Sequence, residues 1–125
     1  MALAIHFKPQ YARVHRRGDL GGAGAGIAYL LTGDYKTVAH TIVNALAIVS
    51  GIVCDGAKPS CAAKIATAVE AGFLGLDMAR RGHVFHDGEG LVKRDVDSTI
   101  AAFGRMGREG MRSTDREILS IMVGE

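Results

Sequence analysis

At 125 residues the chain is sized for one small domain with a modest core. Its net charge of +2 excludes the broad basic footprint of a nucleic-acid binder. Its longest apolar run, around residues 38–53, is broken by His40, Asn44 and Ser50 and falls short of the ~20 clean apolar residues of a membrane span.

Seventeen glycines against two prolines, with Ile, Leu and Val spread throughout, speak for closely packed helices rather than disorder. Two cysteines and no secretory signal point to a reducing, cytoplasmic setting. Residues 1–20 stand apart from the rest. Within them Ala4–Phe7 reads as a short strand or an extended lead, and Arg13, His15, Arg16 and Arg17 as a solvated basic cluster.

A glycine run follows, Gly21 to Gly26, leading into Ile27–Leu31. No G-x-G-x-x-G can be placed on it and no G-K-[ST] follows, so a phosphate loop is not indicated. Gly18, Gly22 and Gly26 lie four apart. That spacing predicts a helix face which another helix approaches closely, at a cost in helix propensity that tertiary packing must offset. Thr32-Gly33-Asp34 marks the turn that ends it.

The second helix is predicted from Tyr35 to Ile52, with Val38, Ile42, Ala45, Leu46, Val49 and Val53 at helical spacing. Apolar residues off that stripe predict burial most of the way round. His40 and Asn44 share one face: the functional reading puts them near the cysteine turn, and the plainer one, preferred for His40, is a satisfied core or surface polar pair. The third helix is predicted from Pro59 to Arg80, with Ile65, Val69, Phe73 and Leu76 as its core stripe and Gly82 as its stop. His83, His86 and Asp87 then fall in a polar loop over residues 82–93. They read as an exposed turn, with a metal site or a lid as the competing reading. Asp95 or Asp97 caps a fourth helix carrying Val96, Ile100, Phe103 and Met106. Gly107–Met111 interrupts it. Thr114 and Glu117 have capping-box spacing and predict the start of a last helix, with Ile118, Leu119, Ile121 and Met122 on its apolar face. The sum is an all-α fold of about five helices packed around a cysteine-containing turn.

That turn, Cys54-Asp55-Gly56-Ala57-Lys58-Pro59-Ser60-Cys61, holds the chain's two cysteines. Asp-Gly marks the turn, and Pro59 suits the first position of a helix, where a missing N–H costs nothing. Cys61 then lies in the first helical turn, among unpaired N–H groups and the positive dipole end, a setting that favours a thiolate able to bind a metal or an iron–sulfur cluster. Two buried thiols, or a disulfide in an exported protein, are the plainer readings of the same pair.

The run Gly51-Ile52-Val53-Cys54-Asp55-Gly56-Ala57-Lys58-Pro59-Ser60-Cys61-Ala62 resembles the C-terminal part of the serine dehydratase alpha-chain-like family, whose characterised members include L-cysteine desulfidases. Ala25–Leu31 matches before it. Asp95–Ile100, Gly107–Met111, Thr114-Asp115 and Ile118–Met122 match after it. The resemblance covers residues 21–125 and leaves 1–20 as a divergent segment.

The resemblance implies an oxygen-sensitive [4Fe–4S] lyase that converts L-cysteine to pyruvate, ammonia and sulfide, or L-serine to pyruvate and ammonia. In such enzymes three cysteines hold the cluster and leave one iron open as a Lewis acid. Cys54 and Cys61 match two of those ligands as the metal-binding pair, with Asp55, Gly56 and Lys58 beside them as substrate-binding residues. The family's upstream Cys-Gly-Cys would fall at Arg13-Val14-His15, where no cysteine stands. The family's long N-terminal region, with its proposed catalytic base, has no counterpart either. The chain therefore reads as a C-terminal fragment lacking the third ligand, with a homo-oligomer or the N-terminal region as its partner. A non-catalytic helical remnant, or a simple metal module built on Cys54, Cys61 and nearby histidines, are the alternatives.

Overall fold

The computed structural model describes residues 12–53 and 58–124, with side chains from residue 22 onward. It is all-helical over these residues, as the sequence pattern implies. The elements are α1 (Ala12–Thr32), α2 (Tyr35–Val49), α3 (Pro59–Arg80), α4 (Val96–Arg105), a π-helical turn (Met106–Gly110) and α5 (Met111–Val123). The extended lead read at Ala4–Phe7 lies outside the described residues, as does the side-chain environment of Arg13, His15, Arg16 and Arg17.

The helix ends follow their local chemistry. Gly33, at φ +62°, closes α1. Asp34 then caps α2, its carboxylate accepting from the Thr37 N–H at 2.8 Å and the Thr37 hydroxyl at 2.7 Å. The hydroxyl bond first, then the N–H, holds the Asp34 carboxyl below the usual aspartate range. Asp95, the first of the two candidates, caps α4 through the Ser98 N–H at 2.7 Å. That N–H lowers its pKa in the same way. Gly82, at φ +76°, ends α3: its N–H reaches Ala79 O, and the His83 N–H reaches Met78 O at 2.8 Å. This is the paired bonding of a Schellman cap.

α2 stops at Val49, three residues short of the predicted Ile52, because Ser50 and Gly51 turn the chain and Ile52 N–H bonds back to Val49 O. The capping box at Thr114 and Glu117 does not start a helix. α5 is entered at Met111 directly from the π-helical turn, through Gly110 in a helical conformation, so no capping side chain is needed.

α2 runs antiparallel to both α1 and α3. Gly33 and Asp34 alone separate α1 from α2. Gly75 of α3 lies against Thr41 and Ala45 of α2, whereas Ala68 and Ala71 cluster with Val49 at the other end of α2. α1 and α3 are therefore parallel neighbours, meeting where Gly24 faces Gly72.

These contacts correct two expectations. Gly24 is the glycine of close approach on α1, since a Cβ there meets Gly72 Cα at 2.9 Å, while Cβ atoms at Gly22 and Gly26 meet nothing within 4 Å. On α3 the inward face is Cys61, Ala68, Ala71, Gly72, Gly75 and Leu76. Of the predicted stripe only Leu76 is buried; Ile65 and Phe73 are 43% and 48% exposed and Val69 is half-buried. The helices approach so closely that small residues fill the seam, and most large side chains stand outside it. The side chains of α2 are buried or half-buried along most of its length.

Two buried polar residues hold the segment between α3 and α4. Asn44 is fully buried. Its amide donates to Gly75 O at 3.1 Å and His83 O at 3.2 Å, and its Oδ1 accepts from the Phe85 N–H at 3.4 Å. Thr99, also fully buried, accepts from the Lys93 N–H at 3.0 Å and donates to Asp95 O at 2.8 Å. Residues 83–93 thus form a strap pinned at both ends. Replacing Asn44 with Ala strands the buried carbonyl of Gly75 and removes the partner of His83 O and of the Phe85 N–H; a loss of about 1–3 kcal/mol is expected, read as a lowered urea midpoint with faster amide exchange confined to residues 83–85.

Candidate functional site

The cysteine turn joins α2 to α3. Cys54, Asp55, Gly56 and Ala57 lie outside the described residues, so the metal reading of Cys54 and the substrate readings of Asp55 and Gly56 are not placed. From Lys58 onward the geometry is on hand. Lys58 is exposed and extended, at φ −115° and ψ 166°, and occupies the N-cap of α3 without a capping side-chain bond. Pro59 takes the first helical position as its chemistry dictates. The Cys61 N–H donates to Lys58 O at 2.8 Å, which closes the first turn. This turn carries the Cys61 side chain inward, where it is buried at 8% exposure.

The register of α1 and α3 adds a second part to this end of the fold. Gly24 and Gly72 are level. Eleven residues back from Gly72 is Cys61; eleven back from Gly24 is position 13, just inside the start of α1 at Ala12. At 1.5 Å per residue both steps span about 16 Å. The backbone of residues 13–15 and the first turn of α3 therefore lie at the same end of a parallel pair.

The other candidates do not join them. His83, His86 and Asp87 are exposed on the strap, where the backbone rather than the rings carries the contacts: His83 O accepts from Asn44, and the His86 N–H donates to Glu89 at 2.7 Å. His40 is half-buried on α2. Among the described residues no three His, Cys, Asp or Glu side chains are grouped to hold a metal ion. A [4Fe–4S] cluster with one open iron needs three protein ligands. The described residues supply one thiol, Cys61, and the sequence adds Cys54. The donor set of this chain by itself does not fit that cluster, and no reaction step is assigned through it.

A partly open cavity of about 490 Å³ lies beneath the strap, lined by Ala47, Ser50, Phe85, Glu89, Leu91 and Phe103 among others. It is predominantly apolar, and Cys61 is not in its lining. The sequence singles out Asn44 as a polar residue satisfied in the core or at the surface, but it reveals neither its partners on the strap nor the role of Thr99. One signal was available: an Asn inside an otherwise apolar helix must find partners if it is buried.

Residues 20–120 match the family described as serine dehydratase alpha chain. The chain belongs to that family. A UPF0597 protein of Desulfitobacterium hafniense (strain Y51) is 59% identical over 104 residues, which is 83% of this chain and 24% of that protein. A UPF0597 protein of Finegoldia magna is 50% identical over 101 residues, 81% of this chain and 24% of its own length. One from Treponema denticola is 43% identical over 125 residues, 97% of this chain and 29% of its own. The chain thus spans about a quarter of the length of these relatives. No solved structure matches it. Among the described residues no helix is long and apolar enough to cross a membrane.

Proposed function

We propose that this chain is the cysteine-bearing segment of a β-eliminating lyase that acts on L-cysteine, releasing pyruvate, ammonia and sulfide. L-serine, giving pyruvate and ammonia, is the second substrate considered. Membership of the serine dehydratase alpha chain family supports the reaction class. The observation that carries the assignment is the placement of Cys61: buried, in the first turn of α3, level with the backbone of residues 13–15. Cys54 and Cys61 are two of the three thiolates of a [4Fe–4S] cluster in this reading, and the third comes from polypeptide beyond these residues. With a third thiolate supplied from beyond these residues, such a cluster would provide Lewis-acid chemistry. Asp55, Gly56 and Lys58 would line the substrate side of the turn. A cytoplasmic location accords with a cluster that oxygen destroys.

The test is anaerobic reconstitution with iron and sulfide of this chain co-expressed with the region that its relatives carry in addition. Absorption in the cluster charge-transfer band is expected, and Cys54→Ala and Cys61→Ala should each abolish it. A cluster that survives the double substitution would remove both residues from the ligand set.

A further inference from the structure

The three-helix layer has its residue sizes inverted. Gly24 faces Gly72, and Gly75 faces Thr41 and Ala45, closely enough that an added Cβ would come within 2.9 Å of a backbone atom at each. The layer's largest fully buried side chains are Asn44 and Thr41 of α2, both polar. Meanwhile Tyr29, Leu30 and Leu31 on α1 are 65%, 83% and 64% exposed, and Ile65, Phe73 and Leu74 on α3 are 43%, 48% and 50% exposed. Scattered single apolar residues on a surface need no explanation. Six large ones on two adjacent parallel helices do: Ile65 and Phe73 share one side of α3, and Tyr29, Leu30 and Leu31 ring the C-terminal end of α1, apolar surface of a kind normally buried against another layer.

We infer that the outward apolar faces of α1 and α3 are the seat of the polypeptide that makes up the other three quarters of the relatives, whether that polypeptide is joined to this segment or supplied separately. The length of the relatives selects this occupant. In the relatives from Desulfitobacterium hafniense and Finegoldia magna the matched region is 24% of the protein, so three times as much chain must be arranged around or beside it. A layer whose helices meet through glycine and alanine, with its bulky side chains turned outward, has the composition of an inner layer of a larger helical body. Its outward residues fill the next seam. The inference rests on family membership and the burial pattern, and it stands apart from the chemistry proposed for the cysteines.

The probe is the unmatched three quarters of the Desulfitobacterium hafniense protein, co-expressed with the tagged 125-residue chain. A one-to-one complex is expected by size-exclusion chromatography with light scattering. Leu30→Lys and Phe73→Lys should each reduce the recovered complex at least tenfold. Both residues are solvent-exposed, so the helicity and melting temperature of the chain alone should hold, and circular dichroism checks this. Arg94→Ala, at an exposed residue between the strap and α4, should leave recovery unchanged. Absence of a complex, or a complex indifferent to Leu30→Lys and Phe73→Lys, overturns the inference. So does a homodimer of the chain alone that the same two substitutions dissociate, which would assign the faces to a second copy. Binding is read without any cluster or turnover, so failure here is separable from failure of the lyase assignment.

Discussion

Gly75→Val is expected to destabilise the chain by about 3 kcal/mol or more, while Gly26→Ala stabilises it by about 0.5–1 kcal/mol. The two glycines look alike in the sequence, both lying inside helices, and the structure separates them. A Cβ built on Gly75 comes within 2.9 Å of Thr41 O, 3.1 Å of Ala45 N and 3.2 Å of Asn44 Cβ. Two of those atoms are backbone, which cannot rotate away, so α2 and α3 must move apart. Separation would also stretch the bond from Asn44 to Gly75 O, coupling the loss to the strap. Overpacking of this kind typically costs ~1–3 kcal/mol for added methylenes, and a β-branched side chain adds its own helix penalty. Small domains hold only ~5–15 kcal/mol in total, so the effect is a large share of it. At Gly26 nothing lies within 4 Å of the new Cβ, and the usual preference of a helix for Ala over Gly applies without opposition. Urea unfolding followed by far-ultraviolet circular dichroism gives both numbers. Equal shifts at the two positions would contradict the packing described for α2 and α3.

The same contrast shows what the sequence could reveal. Helix bounds were legible at several termini with their own chemistry, though not at Thr114 and Glu117, whose capping-box spacing falls inside α5. Pro59 at the first position of α3, Gly82 after its end and the Asp95 cap of α4 all act on their immediate neighbours in the chain. Facing was less legible. Periodicity marks which residues share a side of a helix, and it assigned the large ones, Ile65 and Phe73, to the core. That assumption holds for a helix that meets its core through large side chains. It fails for α3, whose inner contacts are made at the backbone, so that Ala68, Ala71, Gly72 and Gly75 take the interior. For the same reason Gly18, Gly22 and Gly26 were the more conspicuous series by spacing, yet Gly24 makes the contact. Which side of a glycine-rich helix is approached depends on the neighbouring helix, and the helix's own sequence does not encode that. The strap was legible only as a polar loop. Its anchors, Asn44 and Thr99, lie 39 and 6 positions from the backbone groups they bind at His83 and Lys93, and the longer of those pairings has no local signature. The cysteine turn is the reverse case. Its motif was the most specific feature of the chain, because C-D-G-A-K-x-x-C within an ordered series of matches singles out a family where helical periodicity cannot.

The isolated chain is expected to release no sulfide from L-cysteine and form no pyruvate from L-serine above background, and to retain no stable cluster after anaerobic reconstitution. The expectation follows from counting ligands. Cys54 and Cys61 are the only cysteines, and three thiolates are required to hold a [4Fe–4S] cluster with one iron open. Held by two, a cluster has a third iron with no protein bond to stop its loss to solvent. Positions 13–15, which the helix register brings level with Cys61, carry Arg13, Val14 and His15. Of these only His15 has a ligating side chain, and histidine does replace cysteine in some clusters. Removal of the α-proton is a second requirement. In the proposed reading the base would lie in the three quarters of the relatives that these 125 residues do not match, and general-base help alone is typically worth ~10²–10⁴ in rate. Loss of Lewis-acid assistance to the leaving group lowers the rate further. Absorption in the charge-transfer band and a coupled pyruvate assay measure both outcomes in one sample. Turnover that appears only when the additional region of the relatives is co-expressed would locate the missing ligand and base there. A stable cluster and turnover in the isolated chain, lost in both Cys54→Ala and Cys61→Ala, would overturn the expectation and make His15 the residue to replace next.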